Sequence, residues 1–214
     1  MSTDFLFDGP EAARITLLLA HGAGAGMDSA SMAAAAQSIA GHDIRVARFE
    51  FGYMAARRTD GQRKPPPKAE KLQSEYVLAI ENLGPTNGPL LIGGKSMGGR
   101  VASMIADEAL SAGRIAGLVC LGYPFHPPGK PEQLRTAHLE EMQTPALICQ
   151  GTRDIFGSHE EVVGYTLSSS IEISWFEDGD HDLKPRKSVS GFTAADHMRR
   201  LGETVADWSR RLGA

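Results

Sequence analysis

The stretch that decides the fold is residues 90–100, LLIGGKSMGGR, an apolar run followed by a glycine-rich turn. Residues 94–98 within it have the pattern Gly-x-Ser-x-Gly, with Ser96 at the centre. A sharp turn from a strand into a helix leaves no room for side chains two positions before and after the serine, so the glycines have a steric cause. The stretch therefore predicts a strand-to-helix turn that presents Ser96 as a nucleophile.

The letters Gly-Lys-Ser also end the phosphate-binding loop of nucleotide hydrolases. That motif needs a glycine at position 89, which is Pro89, and a flexible loop where residues 90–92 are apolar. Because such a run cannot wrap its amides around a phosphate, we expect no nucleotide hydrolysis.

Short apolar runs alternate with segments of helical period along the chain, as in a mostly parallel sheet with helices on both faces. Several runs are continuously apolar, which indicates strands buried on both sides. Strands are predicted at 14–20, 44–50, 89–94, 115–122, 145–150 and 171–176. Helices are predicted at 28–40, 69–83, 97–111, 158–167 and 193–212. The predicted fold class is a doubly wound α/β fold, in a single domain over residues 1–214 and without a large lid domain.

Two segments, 53–68 and 123–133, are too rich in proline, glycine and charge for regular structure. Each follows a predicted strand, and loops beyond the carboxyl ends of strands line the ligand crevice of an open α/β sheet. They are interpreted either as walls of a site or as solvated surface loops.

A serine hydroxyl is a poor nucleophile until a base takes its proton, so Ser96 predicts a histidine and a carboxylate further along. Asp154 follows the predicted strand at 145–150, and His181 follows the one at 171–176. The order Ser96, Asp154, His181 is the one found with this strand-to-helix turn. We predict His181 as the base and Asp154 as its partner, with His126, past a strand end, as the main competing base. Three acids flank His181 too closely to orient it and are predicted to make turn hydrogen bonds: Asp178, Asp180 and Asp182.

Two backbone amides are predicted to stabilise a developing oxyanion. One is Met97, at the N-terminus of the helix that follows Ser96. The other lies in the glycine-rich loop within residues 17–29, LLLAHGAGAGMDS, where Ala23 is the first choice and Gly24 the second. His21 is interpreted as a structural anchor of that loop.

The strings HGAGAGMDS, GGKSMGGR, LGYPFHPPGKPE, QGTRDIFG and DGDHDLKP resemble the α/β-hydrolase superfamily, with similarity over residues 14–211. Within it they look like the small, lid-poor group called dienelactone-hydrolase-like. The resemblance implies the α/β-hydrolase fold and the Ser96, Asp154, His181 triad. The better-known dienelactone hydrolases have a cysteine nucleophile in place of Ser96, so their substrate does not carry over. Some relatives are accessory subunits of nuclear chromatin complexes, which keeps a non-catalytic binding or scaffold protein as an alternative.

Positive charge gathers near the expected crevice. The basic residues are Lys95 beside the nucleophile, Arg57, Arg58, Arg63, Lys64 and Lys68 in one loop, and Lys184, Arg186 and Lys187 after His181. Lys95, His126 and Arg57 are predicted to bind substrate. The hypothesis is that the substrate carries a carboxylate or phosphate. The alternative is that these basic residues form a solvated run of charge that binds no substrate.

The composition is that of an ordinary soluble globular protein, with 214 residues, 42% hydrophobic residues and a formal net charge of −4. That charge predicts no attraction to nucleic acid or to a membrane surface. Cys120 and Cys149 sit in apolar runs without a Cys-x-x-Cys or His-x-x-x-His spacing, so no metal site is predicted. The first residues lack the pattern of a signal peptide, which predicts a cytoplasmic protein.

Together these features predict a serine hydrolase that cleaves a small carboxylic ester or thioester through an acyl-enzyme, without a cofactor. The expected partner is a small-molecule acyl substrate, and a homodimer is a permitted assembly. Without a large lid, a short acyl chain is favoured. An amidase or peptidase using the same triad is a further alternative.

Overall fold

The structure is a computed structural model that describes residues 3–61 and 65–212, without the side chains of residues 58–60. Its strands form one sheet in the order β1-β3-β2-β4-β5-β6-β7. The strands are β1 (Phe5–Asp8), β2 (Ile15–Ala20), β3 (Ile44–Phe49), β4 (Leu90–Lys95), β5 (Gly117–Leu121), β6 (Ala146–Gly151) and β7 (Ile171–Phe176). β1 pairs antiparallel with β3, and every other neighbouring pair is parallel. The predicted mostly parallel α/β fold is therefore confirmed.

Helices cover both faces of the sheet. They are α1 (Ala30–Ala40), α2 (Gly52–Asp60), α3 (Gln73–Leu83), α4 (Met97–Ser111), α5 (His159–Val162), α6 (Lys187–Ser190) and α7 (Ala194–Leu212). Buried residues of α3 and α4 form one apolar cluster with Leu18 of β2, whereas those of α1 and α7 form another with Leu17 and Leu19. Because successive side chains of a strand point to opposite faces, one buried strand serves both layers. Each described helix is too short or too polar to cross a membrane.

The structure differs from the sequence-based expectation in several elements, among them α6 (Lys187–Ser190), which was not predicted, and α3, which begins at Gln73 rather than at residue 69. β1 was not predicted, because it is only four residues long, is an edge strand and leaves Phe7 48% exposed. α2 occupies part of the segment 53–68 that was expected to be irregular, and it ends at Gly61, whose φ of 68° is a left-handed cap. α5 covers only His159–Val162 of the predicted helix 158–167. Segment 123–133 contains no helix or strand, as expected.

The carboxyl ends of three parallel strands bring the predicted catalytic residues to one edge of the sheet. Ser96 directly follows β4, Asp154 follows β6, and His181 follows β7. β5 lies between β4 and β6. Residues that follow neighbouring parallel strands meet at this edge, which is where open α/β sheets bind ligands.

Candidate active site

Ser96 lies at a strained turn between β4 and α4. Its backbone angles are φ 51° and ψ −116°, a left-handed conformation that L-residues rarely adopt. A Cβ on Gly94 would lie 2.4 Å from the carbonyl carbon of Gly98, and one on Gly98 would lie 2.5 Å from the carbonyl oxygen of His21. The close approach of these backbones is the reason that the turn needs both glycines.

A continuous hydrogen-bonded chain joins Ser96 to a buried carboxylate. Ser96 Oγ lies 2.8 Å from His181 Nε2, and His181 Nδ1 lies 2.8 Å from Asp154 Oδ2. The Asp154 side chain is fully buried, whereas that of His181 is 21% exposed. The three residues that the sequence singled out are thus brought together in the order that a nucleophile, a base and an orienting acid require.

Asp154 is held by two further donors. Gln150 Nε2 donates to Asp154 Oδ2 at 2.9 Å, and the backbone amide of Phe156 donates to Oδ1 at 2.9 Å. The same Gln150 amide group donates to the carbonyl oxygens of Tyr123 and Gly157, and its Oε1 accepts the Tyr123 N–H at 2.7 Å. A buried charge is tolerated when its lone pairs are satisfied, and Gln150 supplies part of that satisfaction.

Phe156 packs against the His181 ring, and acidic residues that flank His181 hold the loop that carries it. The Phe156 ring centroid lies 4.2 Å from that of His181. Asp180 Oδ1 accepts the backbone N–H groups of Asp182 and Lys184 at 2.9 Å each, which is the turn bonding expected for it. Asp178 instead pairs with Arg186, whose guanidinium lowers the pKa of Asp178 to about 2.

Lys95, which was predicted to bind substrate, lines a cleft beside Ser96 and has its ammonium held by neighbouring groups. Its ammonium donates to the backbone carbonyl of His181 and lies 3.3 Å from Asp182 Oδ1. Burial lowers the pKa of Lys95, although the nearby Asp182 carboxylate opposes this. The ammonium is engaged by the His181 loop, so Lys95 supports the position of the base.

The residues predicted to supply the oxyanion-hole amides, Met97 and Ala23, line one cleft together with Ser96. Met97 is the first residue of α4, where backbone N–H groups have no acceptor within the helix. Ala23 lines both clefts beside Ser96, whereas Gly24 lines only one of them. The Tyr53 hydroxyl donates to the Ala23 carbonyl at 3.2 Å. These positions favour Ala23 over Gly24.

His21 anchors the glycine-rich loop, in agreement with its interpretation from the sequence. The His21 side chain is fully buried, Nδ1 lies 2.6 Å from the Gly22 carbonyl oxygen, and Nε2 accepts the Phe51 N–H at 3.1 Å. With one ring nitrogen donating and the other accepting, the imidazole is neutral and both nitrogens are used.

A second serine–histidine pair lies elsewhere in the molecule. Ser103 Oγ is 2.8 Å from His138 Nε2. Ser103 lies within α4, is only 3% exposed, and donates its hydroxyl proton to the Arg100 carbonyl at 2.7 Å. Burial and the nearby Arg100 charge lower the pKa of His138. A hydroxyl that is buried in a helix cannot reach a substrate, so this pair is structural.

Two clefts meet at Ser96 and share Ala23, Ser96 and Phe156. The arginine cleft, of about 520 Å³, is further lined by Pro66, Pro67, Lys68, Ala69, Glu70, Met97, Arg100, Pro124 and Arg135. The glycine cleft, of about 330 Å³, is further lined by Gly22, Gly24, Ala25, Ser29, Ser31, Met32, Lys95, His181 and Asp182. Two separate spaces beside one hydroxyl provide room for the acyl part and the leaving group of a substrate.

Two of the predicted substrate-binding residues are not brought to these clefts. His126 is 2% exposed, with Nδ1 2.8 Å from the Pro127 carbonyl oxygen and Nε2 3.5 Å from Glu161 Oε1. Arg57 lies on α2 with its guanidinium 5.3 Å from the centroid of the Tyr53 ring. Predicted basic residues Arg63 and Lys64, and the side chain of Arg58, lie outside what the structure describes.

Several residues of the site were not predicted from the sequence. Phe156 and Gln150 contact the triad, and Arg100 and Arg135 line the arginine cleft. Arg100 carried a usable signal, because it lies four residues after Ser96 and so on the same side of the helix. Arg135 and Gln150 reach the site through tertiary packing and carry no local signal.

The described side chains offer no metal site and no reactive thiol. No group of three or more His, Cys, Asp or Glu side chains converges within residues 3–61 and 65–212. Cys120 and Cys149 are buried free thiols, and burial raises the pKa of Cys149 to about 12. Thiols of this kind do not act as nucleophiles.

Comparison with known proteins places this geometry in a family. The model of the alpha/beta hydrolase domain matches residues 13–210. A lidless α/β serine hydrolase of Xanthomonas campestris is similar in structure at 19% identity and a TM-score of 0.68, covering 98% of this chain and 88% of that one. A dienelactone hydrolase of Anabaena variabilis has a TM-score of 0.70 at 16% identity, covering 98% and 91%. An esterase domain from Rhodothermus marinus has a TM-score of 0.64 at 15% identity, covering 99% of each chain. Since the family model spans nearly the whole chain, this protein belongs to the α/β-hydrolase family.

Proposed function

We propose that this protein is a serine hydrolase that cleaves a small carboxylic ester or thioester through an acyl-enzyme. The observation that carries the proposal is the unbroken chain from Ser96 Oγ through His181 to the buried Asp154 carboxylate, with 2.8 Å at each contact. A nucleophile bonded to a base that is itself oriented by a third group is the signature of covalent acyl transfer.

In the first half of the reaction, Ser96 Oγ attacks the substrate carbonyl and its proton passes to His181 Nε2. The Asp154 carboxylate stabilises the resulting imidazolium through Nδ1–H. The carbonyl oxygen becomes negatively charged, and the amides of Met97 and Ala23 donate to it. The tetrahedral intermediate then collapses, the bond to the leaving group breaks, and His181 gives its proton to the departing alcohol or thiol.

In the second half, a water molecule replaces the leaving group. His181 accepts a proton from the water as its oxygen attacks the acyl carbon, and the same two amides stabilise the second oxyanion. Collapse releases the carboxylic acid and returns the proton to Ser96 Oγ. Apart from the substrate and water, these steps use only side chains and backbone amides of the chain.

The form of the site favours a small substrate. The arginine and glycine clefts are open at the edge of the sheet and flank Ser96 directly. The same residues are compatible with amide cleavage, which differs mainly in the need to protonate the leaving amine, so an amidase or peptidase stays the alternative within acyl transfer.

Labelling with a fluorophosphonate probe tests the proposal, because the probe reacts only with an activated serine. We expect the wild-type protein to be labelled, Ser96→Ala to be unlabelled and His181→Ala to be labelled slowly. Ser103→Ala is the matched control, since it removes the hydroxyl of the second serine–histidine pair, and it should be labelled like the wild type.

A panel of acyl esters, thioesters and amides then identifies the reaction. We expect hydrolysis of short-chain esters or thioesters to exceed that of long-chain esters and amides. A folded wild-type protein that the probe does not label, or labelling that survives in Ser96→Ala, would contradict the proposal. The first of these results would favour the scaffold alternative.

A further inference from the structure

The arginine cleft has an unusual charge for a protein with an overall net charge of −4. Of the described residues that line it, three are cationic, Lys68, Arg100 and Arg135, and one, Glu70, is a carboxylate. A concave site lined mainly by one sign of charge concentrates ligands of the opposite sign. The cleft is also immediately adjacent to Ser96, so a ligand there lies beside the reacting bond.

Arg100 is fixed close to the nucleophile with unused hydrogen-bonding capacity. Its backbone N–H donates to the Ser96 carbonyl at 3.0 Å, one helical turn along α4. Its side chain is 18% exposed, and one terminal nitrogen lies 2.7 Å from Glu70 Oε1. Its Nε is buried and has no hydrogen-bond partner among the described residues. The exposed part of the guanidinium, rather than this buried Nε, is what Arg100 offers to a ligand in the cleft.

Arg135 is a second cation held near the first. Its backbone is anchored, since its N–H donates to the Phe125 carbonyl at 2.7 Å and its carbonyl accepts the Tyr123 hydroxyl at 3.1 Å. Burial and the neighbouring Arg100 charge lower the pKa of Arg135. Among the side chains that the structure describes, no carboxylate forms an ion pair with its guanidinium. Glu70 pairs with Arg100, and Arg135, which lines the same cleft, is left to face an anion from outside the chain.

We propose that the substrate carries a carboxylate or phosphate group that binds in the arginine cleft between Arg100 and Arg135. This inference rests on the proposed hydrolase function and adds to it the chemical class of the substrate. Guanidinium groups bind both anions through paired N–H donors, so the two anions share one recognition chemistry. The sequence-based hypothesis inferred the same anion from Lys95 and the basic residues of two loops; among the described residues of that set, Lys68 lines this cleft.

Paired substrates test the proposal. We would compare kcat/KM for para-acetoxybenzoate, which has a carboxylate, with its neutral methyl ester, and include para-acetoxyphenyl phosphate as the phosphate arm. The wild type should prefer an anionic substrate by about tenfold or more, as charge-assisted bonds predict. Arg135→Gln and Arg100→Gln should lose that preference, and Arg135→Lys should retain part of it. Arg114→Gln is the matched control, because Arg114 lies beyond the far end of α4 and pairs with Glu81.

A binding measurement separates failure of this inference from failure of the proposed function. Calorimetry on Ser96→Ala with benzoate, phenyl phosphate and neutral benzamide needs no turnover. We expect benzoate or phenyl phosphate to bind and benzamide not to, with binding lost when Arg135→Gln is added. Binding of the phosphate or of the carboxylate alone identifies which anion is recognised. Equal kcat/KM for charged and neutral esters, no anion binding, or a preference that persists in both arginine variants would overturn the inference, whatever the result of serine labelling.

Discussion

Replacing Gln150 by leucine tests whether the buried amide holds the catalytic carboxylate. Gln150 is fully buried, bonds to both backbone groups of Tyr123, and donates to Asp154 Oδ2. Leucine has a similar volume but no polar atoms. In Gln150→Leu the Tyr123 N–H loses its acceptor, and Asp154 retains only His181 and the Phe156 amide.

The size of the effect follows from those contacts. An unpaired buried amide costs about 1–3 kcal/mol, and a lost hydrogen bond to a charged group costs about 1.5–3 kcal/mol. The extra apolar surface of leucine offsets roughly 1–2 kcal/mol of this. We therefore expect Gln150→Leu to lower the free energy of unfolding by about 2–4 kcal/mol. The weaker hold on Asp154 should lower kcat by about 10- to 100-fold, since 1.4 kcal/mol corresponds to about a factor of ten.

Urea denaturation measures the loss of stability, and initial rates on a short-chain ester measure kcat. Gln143→Leu is the control, because Gln143 is exposed and its side chain bonds only to the Glu141 carbonyl. We expect that control to change stability by less than about 0.5 kcal/mol. A loss below about 1 kcal/mol in Gln150→Leu with unchanged kcat would refute the role assigned to Gln150.

Three further changes have expected outcomes. Gly98→Ala places a methyl 2.5 Å from a backbone carbonyl and should abolish activity and lower the melting temperature, whereas Gly24→Ala, with nothing within 4 Å of the added carbon, should melt like the wild type. Tyr76→Phe leaves a buried backbone N–H of β4, now 2.9 Å from the hydroxyl, without an acceptor, so urea denaturation should show a loss of about 1–3 kcal/mol. Arg186 lowers the pKa of Asp178 to about 2 from its usual 3.8, so this pair stabilises the fold above about pH 4 and its contribution is lost as the pH falls from 4 to 2. Asp178→Asn should therefore show a smaller fall in melting temperature between pH 5 and pH 2.5 than the wild type, and an equal fall would contradict this.

The strand-to-helix turn was predictable because its cause is local. Gly94 and Gly98 lie within five residues of chain, at positions where a side chain would collide with the backbone. A Cβ added at Gly94 or Gly98 would lie 2.4 or 2.5 Å from a backbone atom. The proximity of Asp154 and His181 followed from a topological rule, since residues after parallel strands meet at one edge of the sheet. The first inference needed only the local motif, and the second needed only the order of the strands along the chain.

Side-chain direction was not predictable in the same way. Lys95 was expected to bind substrate, and it lines the glycine cleft, but the sequence did not indicate that its ammonium contacts the carbonyl of His181. His126 follows a strand as expected, yet packing against Glu161 removes it from the site. Arg135 lies just past the segment 123–133 and reaches the cleft only because its backbone is tied to Phe125. Such contacts between distant parts of the chain carry no periodic or local pattern.

The distribution of the triad over β4, β6 and β7 has a consequence for how the protein acquires activity. Ser96 and His181 are separated by 85 positions and meet only after β5 has paired with both β4 and β6. Contacts between residues far apart in sequence form late and slowly, because the loop entropy must be overcome first. During refolding, helical signal should therefore return before reactivity of the serine. The rate at which probe labelling returns then measures how fast the second half of the sheet, from β5 to β7, is completed.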